Sequence, residues 1–373
     1  MAHSPTGLTA EAPTFTDLEG PVDSFLTPAV LEKSPLFQDE RFPNIVTTLS
    51  GTVLASWGSQ NIRVRRSEDG GATWGEPITV DPNGFQGGGT LVDETTGAVF
   101  LFVQDGHPPS PLTVYKSDDD GRTWSATEVV LHPDASGAIP SMHMNESGIT
   151  LRRGPHAGRL IRASRYYAKG NQSAHWPNHY TNAIYSDDHG ATWSSSAPFP
   201  ENGTGEAAIA ELADGTLLYN SRSHFPQNPR STRRRQAISD DQGASWKDWT
   251  LVEALPDGRQ DRAYGCMGGL VRLPIRDEDI LVYSNLDTDQ ATRERVTIWV
   301  SFDGGATWPV KRLAHEGPSA YSSLATGRPG TPSEGWIYLH YENGGDGGST
   351  VARFNLTWAL DGQRTGDGAV PPL

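Results

Sequence analysis

The chain is poor in the features that would cross-link it, insert it in a membrane or draw it to polyanions. A single cysteine, Cys266, among 373 residues excludes an intramolecular disulfide and does not discriminate compartment. No stretch approaches the ~20 apolar residues of a membrane-spanning helix, so no membrane association is expected. Positive charge is in deficit: 30 Lys and Arg face 45 Asp and Glu, a net −15, which argues against nucleic acid as a partner. No His/Asp cluster has ligand spacing, so neither a metal nor an organic cofactor is implied. The opening Met1-Ala-His-Ser-Pro5 lacks the basic start and apolar run of a signal peptide. The sequence is compatible with a cytoplasmic protein, or with an extracellular or periplasmic one whose leader has been removed. Four Asn-x-Ser/Thr sequons (Asn145, Asn171, Asn202, Asn355) fit a secreted protein or chance equally well. Nothing fixes an oligomeric state.

What is abundant is turn chemistry. Gly 41, Pro 27 and Trp 11 describe an all-β chain of many short strands. One phrase, Ser-x-Asp-x-Gly-x-Thr/Ser-Trp, occurs five times, beginning at Ser67, Ser117, Ser186, Ser239 and Ser301. The spacing, about 50 to 70 residues, marks an internal repeat. Within each phrase the Asp can accept hydrogen bonds from its own turn, the Gly supplies a positive φ, and the Trp anchors the turn on apolar neighbours. A strand-like run such as Ile62-Arg-Val64 or Val296-Thr-Ile-Trp-Val300 precedes each phrase. The unit is a hairpin locked by Asp and pinned by Trp.

Six strand–turn–strand units recur between Arg41 and Tyr341, and five of them lead into the phrase. Residues 1–36 lack periodicity and are expected to lead into or close the first unit. Residues 37–360 form one domain, and 361–373 a polar tail expected to fray. Thr350 to Leu356 is expected to complete the last unit or to fasten it to the first.

The phrases resemble the Asp boxes (BNR repeats) of the sialidase superfamily, and the resemblance covers roughly residues 37 to 358. It implies a six-bladed β-propeller in which the boxes are structural. It also implies a site. Arg41-Phe-Pro43 resembles the family's Arg-Ile-Pro element, and Arg222 and Arg293 match its second and third arginines. In the family this triad grips the substrate carboxylate, which guanidinium suits by offering planar paired donors and permanent charge. Arg295 competes with Arg293 for the third place, and spacing to Thr297-Ile298 favours Arg293. Tyr321, in Ala320-Tyr-Ser322, resembles the family nucleophile. Glu206, sixteen residues before Arg222, matches the glutamate that takes the phenolic proton. Tyr341-Glu342 resembles the Leu-Tyr-Glu element, whose glutamate orients the first arginine.

One family element is missing. The first-blade loop that carries the general-acid aspartate is short here, and Ala55 to Val64 contains no Asp, Glu or His. Asp105, His107 and His143 are the candidate replacements. The resemblance therefore implies an exo-glycosidase acting on a terminal acidic sugar, with an acidic glycan as substrate. Two alternatives stand beside it: a propeller enzyme acting on uronate-containing polysaccharide, by elimination or atypical hydrolysis, and a non-catalytic acidic-glycan-binding propeller. Retention of both Tyr321 and Glu206 argues against the last, since gripping a carboxylate needs only arginines.

Overall fold

The computed structural model describes residues 15–373 other than 168, 170–171, 224–231, 259–264, 289–291 and 345–346, and the side chains of all of these except 86–88 and 173. Its strands form six antiparallel sheets, the blades of a β-propeller. The first blade is Pro43–Thr47, Val53–Trp57, Ile62–Ser67 and Ile78–Asp81. The second is Phe85–Val92, Val99–Gln104, Leu112–Ser117 and Ser125–Thr127. The third runs from Ile149–Thr150 through Leu160–Tyr166 and Tyr180–Ser186 to Thr192–Ser195, with Val130–Leu131 added in parallel outside. The fourth is Thr204–Glu211, Leu217–Ser223, Arg233–Ser239 and Lys247–Pro256. The fifth is Gly269–Arg272, Leu281–Leu286, Glu294–Ser301 and Val310–Pro318. The sixth is Ser322–Thr326, Ile337–Glu342 and Ser349–Phe354. The first strands of neighbouring blades pack on one another around a central channel.

A modest apolar content suffices because each strand is used on both faces. Val99, Leu101 and Val103 of the second blade pack on Val46, Leu54 and Val64 of the first. The alternate residues Phe100 and Phe102 pack on Leu160, Ile184 and Trp193 of the third. The fourth blade divides the same way: Ala207 and Ile209 join the third-blade core, Ala208 and Ala210 the fifth.

The five boxes share one hydrogen-bond pattern. Ser67 Oγ donates to Asp69 Oδ1 (2.8 Å) and accepts from Gly71 N (2.8 Å), while Asp69 also accepts from Thr73 N (2.9 Å) and Thr73 Oγ1 (2.6 Å). Asp119, Asp188, Asp241 and Asp303 repeat it. These bonds outweigh the cost of partial burial and hold Asp69 and Asp119 at about 2. The box glycine is needed twice over. Gly243 has φ +88°, and a Cβ on it would lie 2.1 Å from Ile161 Cδ1 of the preceding blade. Gly121 meets Leu54, Gly190 meets Phe100 and Gly305 meets Leu218, so each box is seated on its neighbour's second strand. Gly71 meets Tyr338 of the sixth blade, which brings the contact round the ring.

The termini do more than extend the propeller. Leu31–Phe37 pairs antiparallel with Ser349–Phe354 and becomes the outer strand of the sixth blade. Asn355 secures the junction: its Oδ1 accepts from Val30 N (3.2 Å) and its Nδ2 donates to Thr27 O (2.9 Å). This sequon and that at Asn145 are buried, Asn202 is exposed, and Asn171 lies outside the described residues. Where a sixth box would stand, Asn355 caps the short helix Leu356–Leu360. The C-terminal tail, expected to fray, is instead fastened to the fifth blade: Gln363–Arg364 pairs with Val310 and Lys311, and Asp367 accepts from Trp308 N (2.9 Å). Backbone bonding at an open sheet edge overrides its polar composition.

Candidate active site

Antiparallel pairing brings the start of a blade's first strand, the end of its second and the start of its third to one rim. Arg41 and Tyr321 stand just before first strands, and Glu206 lies near the start of another. Arg222 and Glu342 end second strands, and Arg293 precedes a third. Six residues spread over four blades therefore share one end of the channel.

They meet there. The Tyr321 hydroxyl donates to Glu206 Oε1 (3.2 Å), and Arg222 Nη1 reaches Glu206 Oε2 (2.6 Å) and the Tyr321 hydroxyl (3.4 Å). The guanidiniums of Arg41 and Arg293 each lie 5.1 Å from the Tyr321 ring centroid. Arg293 also donates to Gly265 O (3.1 Å). Arg295 points elsewhere and pairs with Glu316 (3.0 Å). Glu342, buried, is the hub of the first-arginine corner. It accepts from Arg41 Nε (3.2 Å) and Nη2 (2.9 Å), from Phe42 N (3.0 Å) and from Tyr321 N (3.2 Å). These bonds hold Phe42 at φ +82°, a conformation a bulky residue rarely adopts. Its ring stacks on Tyr321 at 6.1 Å.

The electrostatics separate the two partners. Burial raises the Glu206 carboxyl, but the guanidiniums of Arg222 and Arg165 outweigh it and hold Glu206 ionised, at about 2. Burial pushes the Tyr321 phenol up, as does the Glu206 charge, against the opposing pull of Arg222, Arg293 and Arg41. Tyr321 is a neutral phenol beside a carboxylate that carries its charge throughout the working range.

Arg165 is the residue that sequence reasoning missed. Its Nη1 lies 3.8 Å from Glu206 Oε1 and donates to the Tyr167 hydroxyl (2.8 Å), with the guanidinium 4.3 Å from the Tyr167 ring centroid. A signal existed: Leu160-Ile-Arg-Ala-Ser-Arg165 and Leu217-Leu-Tyr-Asn-Ser-Arg222 are the same Leu-x-x-x-Ser-Arg strand in adjacent blades. The two arginines occupy equivalent places and flank one carboxylate.

The first-blade loop is closed tightly. Ser59 N, Gln60 N and Asn61 N all donate to Glu40 Oε2, at 2.7, 3.1 and 3.3 Å. Of the three replacement candidates, two come to the site. His143 is buried, with its ring 5.8 Å from Phe42 and 4.8 Å from His107, and His107 lies 5.3 Å from Tyr167. His107 is exposed. The crowding rings still desolvate it enough to push its pKa down. Asp105 is exposed, and its charge bears on Tyr115 in the outer part of the second blade.

The family described as "BNR repeat-like domain" matches residues 56–332. The chain belongs to the sialidase superfamily of BNR-repeat propellers. It is 34% identical to a sialidase of Micromonospora viridifaciens over 362 residues, which cover 86% of this chain and 52% of that protein. A Bacteroides fragilis sialidase is 28% identical over 337 residues, covering 76% of this chain and 57% of that one. Among solved structures, the Hadza microbial sialidase Hz136 superimposes with a TM-score of 0.65 at 26% identity, covering 85% of this chain and 66% of that chain. This member of the superfamily spans about half the length of the curated relatives it matches.

Proposed function

We propose that this chain is a sialidase-like exo-glycosidase that releases a terminal acidic sugar, of the 2-keto-3-deoxy (sialic-acid) type, from a glycan. The observation that carries this reading is the Tyr321 hydroxyl. It is shared between the Glu206 carboxylate and Arg222, with the guanidiniums of Arg41 and Arg293 each 5.1 Å from the ring centroid. The three guanidiniums bind the sugar carboxylate through charge-assisted bonds. Tyr321 attacks the anomeric carbon, and its proton passes to Glu206. The bond to the leaving oxygen breaks, and water later releases the sugar from Tyr321. A phenol has an ordinary pKa of about 10, so it needs a base in contact to react at neutral pH. Being neutral, it also approaches a carboxylate-bearing carbon without repulsion.

Protonation of the leaving oxygen falls to His107 or His143, because the loop at Gly58 to Asn61 holds no acid and is closed on Glu40. A positioned general acid contributes about 10² to 10⁴ in rate. Substrates with good leaving groups therefore react most readily.

The test is hydrolysis of an aryl sialoside and of sialyllactose by wild type and Tyr321→Phe. Turnover of both, lost in the variant, supports the reading and a replacement acid. Turnover of the aryl substrate alone means that no replacement acts. Turnover of neither overturns the reading, and the closed first-blade loop then favours a uronate-containing polysaccharide, assayed with the same variant. Glycan binding unchanged by Tyr321→Phe, with no turnover of any substrate, is the result a lectin gives.

A further inference from the structure

The far end of the channel carries a second arginine cluster. Arg152 donates to Glu94 through Nε and Nη2, both at 2.7 Å, and Arg328 pairs with the same carboxylate. Glu211 accepts from the backbone N–H groups of Arg152 (2.8 Å) and Arg153 (3.0 Å) and lies 3.6 Å from the Arg153 guanidinium. Asp279 accepts from Arg272 Nε (3.0 Å). Four guanidiniums thus meet three carboxylates supplied by the blades.

The fourth carboxylate comes from outside the ring. Glu19 Oε1 accepts from Arg153 Nη2 (2.7 Å) and Arg272 Nη1 (2.6 Å), with Arg152 Nη1 at 3.7 Å. Burial alone would raise the Glu19 carboxyl, but Arg153 and Arg272 prevail and hold it low. Glu19 sits on a short segment clipped to the fifth blade by Gly20 N to Pro274 O (2.9 Å) and Arg276 N to Gly20 O (3.1 Å). Inside this mouth is a cavity of about 140 Å³ whose lining includes Arg152, Arg153, Arg272 and Glu146. One Glu146 oxygen accepts from Ser323 Oγ (2.7 Å) and Leu324 N (3.0 Å), and the other is buried with no partner among the described residues. Burial pushes Glu146 up to about 8, so at neutral pH it is protonated and able to donate.

We infer that the far mouth is a second carboxylate site, filled in cis by Glu19, and that a small hydroxylated carboxylate takes it when Glu19 leaves. The carboxylate replaces Glu19 on Arg153 and Arg272, and the hydroxyls face the cavity that Glu146 lines. Without Glu19, the described residues of the mouth leave four guanidiniums facing three carboxylates in a largely buried place, which favours capture of an anion. With Glu19 present, a competitor must exceed the effective concentration of a tethered group, on the order of millimolar for a short tether. The inference goes beyond the glycosidase reading and does not depend on it.

The experiment titrates sodium glycerate into wild type and Glu19→Gln by calorimetry, with sodium chloride at equal ionic strength and glycerol as controls. The expected result is one additional glycerate site per chain in Glu19→Gln, at least ~10-fold tighter than any competition seen in wild type. Adding Arg272→Gln abolishes that site, and adding Arg41→Gln at the opposite rim leaves it. On unsubstituted protein, excess glycerate speeds amide exchange at Gly20 and Arg276, and chloride does not. No added site in Glu19→Gln overturns the inference and leaves Glu19 a staple. A site lost with Arg41→Gln instead overturns it by moving the acid to the Tyr321 rim. Unchanged exchange in wild type overturns it without recourse to a variant.

Discussion

Replacing Arg165 by Gln tests whether its charge sets the state of Glu206. The guanidinium Nη1 lies 3.8 Å from Glu206 Oε1, both groups are buried, and Arg222 holds the other oxygen at 2.6 Å. Two unit charges about 4 Å apart interact by about 4 kcal/mol at an effective dielectric of about 20. At about 1.4 kcal/mol per pH unit, removing one of them raises a carboxylate pKa by up to about three units. Relaxation around the new side chain reduces the figure, so a rise of one to three units is the expectation, by the same reckoning of about 1.4 kcal/mol per unit. In the proposed reaction the sign is fixed by the base role: Glu206 must be ionised to take the Tyr321 proton. In the native protein it stays ionised down to about 2. In Arg165→Gln, kcat/KM for an aryl sialoside should therefore fall on an acidic limb displaced upward by that amount, with the plateau near neutrality far less affected. Arg165→Lys, which restores the charge, should bring the limb back down. An unmoved limb in a folded Arg165→Gln protein would refute the reasoning. So would a limb that shifts in the Gln variant and fails to return with Lys, because charge would not be the cause.

Three further outcomes are expected. Glu342→Gln weakens a buried hub that binds both Arg41 and two backbone N–H groups; it should cost about 1–3 kcal/mol in urea unfolding and raise KM more than it lowers kcat, and an unchanged unfolding midpoint would deny it that role. The box carboxylates Asp69 and Asp119, held at about 2, contribute stability that is complete above their unfolded pKa of about 3.9 and is lost as pH falls towards 2. The thermal midpoint should drop across that window, and less steeply in Asp69→Asn/Asp119→Asn. His107, pushed below its ordinary value, is charged only in acid; if it protonates the leaving group, sialyllactose turnover falls as pH rises through that lowered pKa while aryl sialoside turnover stays level. His107→Ala should erase the difference, and persistence of the difference assigns the proton to His143.

The sequence by itself determined the propeller and pointed to most of the residues that meet at its candidate rim. Its signals there are local: a Ser-x-Asp-x-Gly-x-Thr/Ser-Trp turn satisfies its own hydrogen bonds within eight residues, so five copies could be read without knowing their surroundings. Arg41, Glu206, Arg222, Arg293, Tyr321 and Glu342 lay in short phrases tied to strand ends, and strand ends of successive blades share a rim. Arg165 was also legible, in the strand that repeats Arg222's, but its meaning was not, because nothing local shows that both arginines flank Glu206. The fate of the tails was hidden for the same reason. Leu31–Phe37 is a strand only because Ser349–Phe354 offers it an edge, and 363–367 is ordered only by the fifth blade. Glu19 and its arginines are 134 and 253 residues apart in sequence. Charge pairing acts over a few ångströms of space, and a closed ring brings together residues that no window along the chain contains. The tertiary structure alone decided that Arg165 joins Arg222 beside Glu206 and that Glu19 meets Arg153 and Arg272 at the far mouth.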